Sequence, residues 1–422
     1  MTKFSINQKN TTLLTFNSIL IFLILLTILV SFFPWIKLSG SIHTDLQPYA
    51  LLCASILFYF KTIFVLSRPQ RQLYNIDAAI LFMILGSLIT IIFIFSSNIT
   101  YLSYRASMTY ITIIIFSYTL LNSPVLLSKK TFLKISEFAL IIWISVGLIQ
   151  YFYDRTFLTF LLNRTVITQD RGVISLSCEP GYFGAVLSVL FFIFILERKF
   201  FYALLSVTSV MFLAKSSVAV GAIFASIVIY CFFLMYKNGF GSGFLKTIMI
   251  MFVATLLVSL IINSFNLDPN SRITRFIIWI KSGDLGKFID DGSLNIRLSH
   301  ISYSIQSFIK SFPIPHDPNS WVYNIESFTS YSNIFWNPGT HETNRINSGL
   351  GTILYEGGIG GLMILIGSFL YLSKYSLSKL EAFAFILIFA FLILVLYSYK
   401  QPFVYVLLYY LRLRKQEVCC AF

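Results

Sequence analysis

A carboxylate, a histidine and a set of arginines stand where this chain turns from polar to apolar. In "SLSCEPGYFGAVLSVLFFIFIL" (175–196), Glu179 precedes Pro180, Gly181 and Gly184 at the mouth of a long apolar run. A carboxylate held there could orient a hydroxyl or accept its proton. In "HETNRINSGLGTILYEGGIGGLMIL" (341–365), His341, Glu342, Asn344, Arg345 and Asn347 crowd together, and Glu356 follows inside the next apolar run. His341 has the titration range of a base near neutral pH. An ionisable group inside a membrane segment is costly, which makes Glu356 a functional candidate. Arg164, Arg171, Arg297 and Arg345 complete the inventory. A guanidinium is always charged and grips phosphate oxygens two at a time.

Each residue also has a structural alternative. Glu179 beside a proline-started helix end is an ordinary favourable charge at the positive end of a helix dipole. The arginines are equally at home as solvated charges or lipid head-group contacts. His341 could be an ordinary loop histidine, and Glu356 a structural hydrogen-bond partner. Gly181 and Gly184 would let a backbone or a bound molecule approach closely. Gly349, Gly351, Gly357, Gly358, Gly360 and Gly361 point to tight helix packing or a broken helix. The five cysteines, Cys53, Cys178, Cys231, Cys419 and Cys420, have no ligand-like spacing. No metal and no other cofactor is expected.

The elements that must position these residues follow from hydropathy. With 57% hydrophobic and 11% charged residues and a mean hydropathy of +0.80, the chain carries more apolar surface than a soluble fold can hide. Apolar runs fall near 13–36, 48–66, 76–97, 106–127, 132–153, 180–196, 200–214, 216–236, 244–263, 348–373, 381–399 and 401–411. The expected fold is therefore an all-α polytopic integral membrane protein of about twelve transmembrane helices. The first run lacks a small-residue cleavage pattern and reads as a retained span.

Charge orients that array. A net charge of +14 on a soluble protein would point to nucleic acid. Here the cations sit mostly between apolar runs, so no nucleic-acid partner is expected. With the N-terminus inside, the inner segments hold 16 Lys and Arg and the short outer loops 7. The bias places both termini in the cytoplasm. Three regions result: 1–263 with nine spans, a large extracytoplasmic loop at 264–347 between spans nine and ten, and 348–422 with three spans and a short basic tail. Within the loop, "SRITRFIIWIKSG" (271–283) reads as an interfacial helix. "RLSHISYSIQSFIKSF" (297–312) places Leu298, Ile301, Ile305, Phe308 and Phe312 at helical spacing, with Arg297, His300 and Ser304 on the other side. Pro313, Pro315 and Pro318 then enforce an extended stretch. Trp279, Trp321 and Trp336 read as an interfacial aromatic belt.

These pieces resemble the O-antigen and capsule repeat-unit polymerase (Wzy) family and its relatives, the O-antigen ligases. "RGVISLSCEPGYFGAVL" (171–187) is similar to that family's arginine–glycine–(Glu-Pro) pattern at a span mouth. "NIRLSHISYSIQSFIKSFPI" (295–314), followed by "NSGLGTILYEGGIGGL" (347–362), is similar to its arginine-led loop helix and glycine-rich helix start. The resemblance implies a bacterial inner-membrane glycosyltransferase acting on the outer face. It would join repeat units carried on undecaprenyl diphosphate, without metal or nucleotide sugar. Its implied partners are that lipid-linked glycan, membrane lipids, and a chain-length regulator and flippase of the same pathway.

Residue by residue, the resemblance assigns Arg171 and Arg297, with Arg164 and Arg345, to the diphosphate. Glu179 matches the Glu-Pro carboxylate, Glu356 the acidic residue of the glycine-rich span, and His341 the base. Asn347 takes the place of a sugar-contacting asparagine. Ligases carry a His-Asn pair closer to the acidic residue, and here "PIPHDPNS" (313–320), with His316, replaces the glycines expected after the loop helix. Both departures favour polymerase over ligase. A flippase without chemistry, the reading from another class, would place charges within spans and show two similar halves.

Overall fold

A computed structural model of the chain describes residues 2–37, 46–66, 76–96, 99–122, 127–167, 172–238, 275, 278, 292–332, 334–335 and 346–420. Among them there is no β-strand. Long apolar runs become helices because only internal pairing satisfies backbone groups away from water. In chain order the helices are α1 (Thr2–Ser31), α2 (Tyr49–Leu66), α3 (Ala78–Ser96), α4 (Tyr101–Phe116), α5 (Lys129–Phe152), α6 (Pro180–Leu196), α7 (Phe200–Ser209) and α8 (Ser217–Asn238). Then come α9 (Gly292–Ser311), α10 (Trp321–Ser330), α11 (Gly349–Tyr375), α12 (Lys379–Val395) and α13 (Pro402–Cys420). Turns of π-helix extend α4 over Ser117–Leu121 and α7 over Val210–Ala214.

Helices α3, α5 and α11 are long and apolar enough to cross a membrane, and α6, Asn17–Ser31, Tyr49–Ile63, Phe200–Ala214 and Ser217–Phe233 are shorter apolar helices. The chain thus has the character of a membrane protein. Two expected boundaries move. Helix α4 begins at Tyr101 rather than 106, and α13 runs on to Cys420, so the basic tail is helical. The run at 244–263 and most of the first loop helix lie outside the described residues.

The lateral surface is as apolar as the core. Helix α6 is buried from Phe183 to Phe194 and α13 from Phe403 to Leu411, which marks them as central. Leu81, Leu85, Ile92 on α3 and Phe138, Ile141 on α5 face outward. Hydroxyls sit inside: Ser87, Thr90, Ser107, Ser136 and Ser368 are buried and bond to carbonyls within their own helices.

Contacts sort the helix ends into two sets. At one end Lys129 pairs with Glu197 at 2.9 Å, Lys374 with Asp77 at 2.7 Å and Arg414 with Glu381 at 2.9 Å. Lys199 and Glu137 pair there as well. At the other end lie the start of α4, the ends of α5 and α12, the starts of α6 and α11, and all of α9 and α10.

Helix α3 runs along α11 at backbone distance. A Cβ added to Gly360 would lie 2.5 Å from Gly86 O, and one on Gly367 would lie 2.6 Å from Ala79 O. Small residues permit that approach, and close packing is the main source of association between helices in lipid. Helix α11 is also broken. Gly358 has φ 50° and ψ −126° inside it. The extended stretch after α9 fills the break: Ile359 N–H donates to Pro313 O at 3.0 Å, and His316 N–H donates to Tyr355 O at 2.9 Å. An uninterrupted helix would have paired Ile359 N–H with Tyr355 O.

Two sequence expectations need correction. Gly184 does pack closely, since its Cβ would lie 2.8 Å from that of Ala219, whereas Gly181 faces open space. The two sides of α9 are as the spacing has them, and His300, Ser304 and Ile301 are buried while Ile305 and Phe312 are exposed. Trp321 is buried against Tyr355 rather than placed in an interfacial belt.

Gly358→Ala should therefore destabilise the protein by about 1–3 kcal/mol from backbone strain, because its Cβ would also meet Pro313 O at 2.7 Å. Gly181→Ala should be neutral or better. Thermal unfolding in detergent compares the two, and equal midpoints would refute the broken helix.

Candidate functional site

The carboxylates singled out from the sequence sit in different surroundings. Glu179 is the N-cap of α6 with extended backbone, φ −146° and ψ 149°, but its side chain does not cap the helix. Instead Arg164 Nη2 donates to Glu179 Oε1 at 2.5 Å. Arg164 is half exposed, so the pair contributes about 0–1 kcal/mol. The Glu179 carbonyl accepts the Tyr182 N–H at 3.0 Å and the Ser177 hydroxyl at 2.7 Å.

The loop that presents Glu179 is buried and non-helical, so every polar group in it needs a partner. Gln150 of α5 supplies some of them. Its amide donates to Phe157 O at 2.8 Å and Ser175 O at 3.0 Å, and its Oε1 accepts Ser175 N–H at 2.6 Å. The Ser175 hydroxyl donates to Trp143 O at 2.7 Å, and Val173 N–H to Leu213 O at 2.8 Å. Gly172 lies so close to the backbone of Leu213 and Ala214 that no side chain fits there.

Glu356 lies on α11 one residue beyond Tyr355 and two before the break. The Tyr110 hydroxyl of α4 reaches its Oε2 at 3.5 Å, the outer limit of a hydrogen bond. Glu356 lines a small cavity with Leu102, Arg105, Ala106, Pro318, Trp321 and Ile346. Arg105 and Lys400 are the cations whose fields reach the carboxylate. Pro318, just after the stretch that fills the helix break, forms part of its wall. Asn319 ties that stretch to the first turn of α4 through Ser103 Oγ at 3.3 Å and through Thr100.

Behind the cavity is a buried polar cluster. His316 stacks on Tyr355 at 4.6 Å, Trp321 meets Tyr355 edge-on at 4.9 Å, and His300 meets Trp321 edge-on at 5.1 Å. The Tyr355 hydroxyl bonds Ser320 Oγ at 2.8 Å and accepts from Asn324 at 3.1 Å. His300 Nδ1 accepts the Asn347 N–H at 3.0 Å, which places the neutral ring's proton on Nε2. That Nε2, Ser304 Oγ and Trp321 Nε1 are buried without a partner among the described residues. Burial, and then the charge of Arg297, push His300 from its usual 6.5 down to about 3.

Arg297 Nη1 donates to Val395 O at 2.5 Å, and the Ser348 hydroxyl donates to Leu394 O at 2.8 Å. Both contacts satisfy the last carbonyls of α12, which have no partner within the helix. The guanidinium expected to hold diphosphate thus has a structural contact. Asn347 positions His300 through its backbone. Arg171, His341 and Arg345 lie outside the described residues. The structure brings together Glu179 with Arg164, and Asn347 with the Arg297–His300 helix. Arg105, Tyr110, Lys400 and Gln150 were not singled out from the sequence. Arg105 had a readable signal: Thr100 and Ser103 form a reciprocal capping box that starts α4 ahead of it.

No family model matches this chain, and no curated protein matches it.

Because its folded value lies below its unfolded one, His300 supports the fold above pH 6.5 and costs stability as pH falls from 6.5 towards 3. Between pH 7 and pH 5 that loss is about 2 kcal/mol. His300→Asn retains an acceptor for the Asn347 N–H and should lack this loss. Chemical unfolding in detergent at both pH values measures it, and parallel pH slopes would refute the assignment.

Proposed function

We propose that this chain polymerises oligosaccharide repeat units carried on undecaprenyl diphosphate, as O-antigen or capsule, at the outer face of the bacterial inner membrane. The observation that carries the reading is Glu356 beside a helix break, lining a cavity with Arg105 and within the field of Lys400. A proton acceptor among cations fits transfer of a glycosyl group from a diphosphate to a hydroxyl. In that reaction a hydroxyl oxygen of the incoming unit attacks the anomeric carbon of the growing chain. The new C–O bond forms as the C–O bond to diphosphate breaks, and the bonding pair leaves with the diphosphate. The hydroxyl proton passes to the Glu356 carboxylate. Arg105 and Lys400 stabilise the charge that develops on the leaving group, where preorganised positive charge has its largest effect.

The topology belongs to the same proposal: about twelve spans, with both termini cytoplasmic. The sorting of helix ends supports it. The salt-bridged end gathers Lys129, Lys199, Lys374 and Arg414, all on inner segments by the positive-inside preference. The opposite end gathers α9, α10 and the cavity. Glu179 with Arg164 forms a second polar site at that end, suited to a sugar hydroxyl. Arg171 and Arg345 keep the diphosphate role their resemblance implies, Glu356 takes the base role that the resemblance gives to His341, and Arg297 acts by holding α9 against α12.

The test is a surface-glycan gel from a strain lacking the gene, complemented with variants. The empty strain should show anchors bearing one repeat unit and no long ladder. Glu356→Gln should lower polymer by about 100-fold or more at unchanged protein level, while Glu417→Gln restores the ladder. Bare anchors in the empty strain would refute polymerase and point to ligase or flippase.

A further inference from the structure

Helix α9 turns most of its polar residues inward. Asn295, Ser299, His300, Ser304 and Ser307 are buried beside Ile301, while Ile305, Ile309, Phe312 and Ile314, with Gln306 and Lys310 among them, point away from the protein. Ile309 is 69% exposed, Ile314 61% and Phe312 49%. Water would favour the opposite rotation, which the same helix could adopt with its hydroxyls outward.

The contacts of α9 fix its depth. Arg297 meets the last carbonyl of α12, His300 meets Asn347 just before α11, and Ser304 Oγ packs on Gly351. Pro313 then reaches Ile359. Helix α9 and the first half of α11 therefore descend together in the same direction. The chain turns at 312–316 and returns: His316 bonds Tyr355, Ser320 bonds the Tyr355 hydroxyl, and Asn319 reaches the first turn of α4. Gly358 is nine residues past Gly349. That places the turn about 14 Å along a helix able to cross the membrane, roughly half of a hydrocarbon core of about 30 Å.

We infer that residues 305–316 form a re-entrant element whose Ile305–Ile309–Phe312–Ile314 face is solvated by lipid acyl chains. Its partner is the hydrocarbon of the bilayer. Non-helical backbone is tolerated at that depth because Pro313 and His316 pair with the groups that the broken α11 exposes. Tyr323 and Tyr331 of α10 are 77% and 87% exposed and stay in water, because α10 follows the return arm. This inference does not depend on the polymerase reading.

The test uses the wild-type chain in lipid nanodiscs, with two readouts by mass spectrometry. Hydroxyl-radical oxidation should mark Tyr323 and Tyr331 and leave Phe312 at least tenfold less modified. A lipid carrying a photoactivatable group in its acyl chain should label 305–316 and spare 321–331. Unfolding in detergent must restore oxidation of Phe312. Oxidation of Phe312 at about half the rate of Tyr331, in proportion to exposure, would overturn the inference. So would protection without lipid labelling, because another part of the chain would then cover that face.

Discussion

Two hydrogen bonds govern this architecture: Pro313 O accepts the N–H of Ile359, and the N–H of His316 donates to the carbonyl of Tyr355. In an intact helix those two groups of α11 would have bonded each other. The loop stretch substitutes for one rung of the helix. A rung opened away from water costs several kcal/mol if left unpaired, so the stretch and the break require each other. Glycine stands at position 358 because φ is +50° there and because Pro313 O and Pro315 N leave no room for a Cβ. The consequence reaches the cavity. The return arm brings Pro318 and Trp321 over Glu356 and hooks Asn319 onto the start of α4, which carries Arg105.

The break would be a weak point if the rest of α11 were loosely held, but α3 clamps it. Gly86, Gly360 and Gly367 let the two backbones touch, and Thr90 sits against Gly357 and Gly360. Dispersion between close backbones needs no hydrophobic driving force, so it works in lipid as well as in water. The lower half of α11 is thereby a rigid post, and the upper half is shaped by the inserted stretch. A carboxylate at the joint is held more firmly than one on a surface loop.

Much of the helical framework was legible because apolar runs cannot hide. The run at 180–196 is α6 to the residue, with Pro180 at its first turn and Glu179 at its cap. The glycine-rich start of α11 was legible as close packing or a break, and both occur in one helix. What periodicity could not give was the inward side of α9. A 3.6-residue repeat reports two faces and not which faces inward. The structure buries Ser304 and exposes Ile305 and Phe312. Arg105 was hidden for a different reason. Hydropathy starts a span where the apolar run starts, whereas the capping box of Thr100 and Ser103 begins the helix five residues sooner.

The two carboxylates also differ in how much their surroundings explain. Glu179 is accounted for by local structure: it follows a loop fixed by Gln150, its carbonyl starts α6, and its side chain pairs with Arg164 at 2.5 Å. Such a pair at a half-exposed site is worth little and could be replaced at small cost. Among the described residues Glu356 gains a 3.5 Å contact with Tyr110 as its hydrogen bond, and it stands inside an apolar helix beside a cavity. A neutral side chain of the same size would suit α11 better on stability alone. A residue that its fold would be more stable without is one whose presence calls for a use, and on the proposed reading that use is to take a proton beside Arg105, which lines the same cavity.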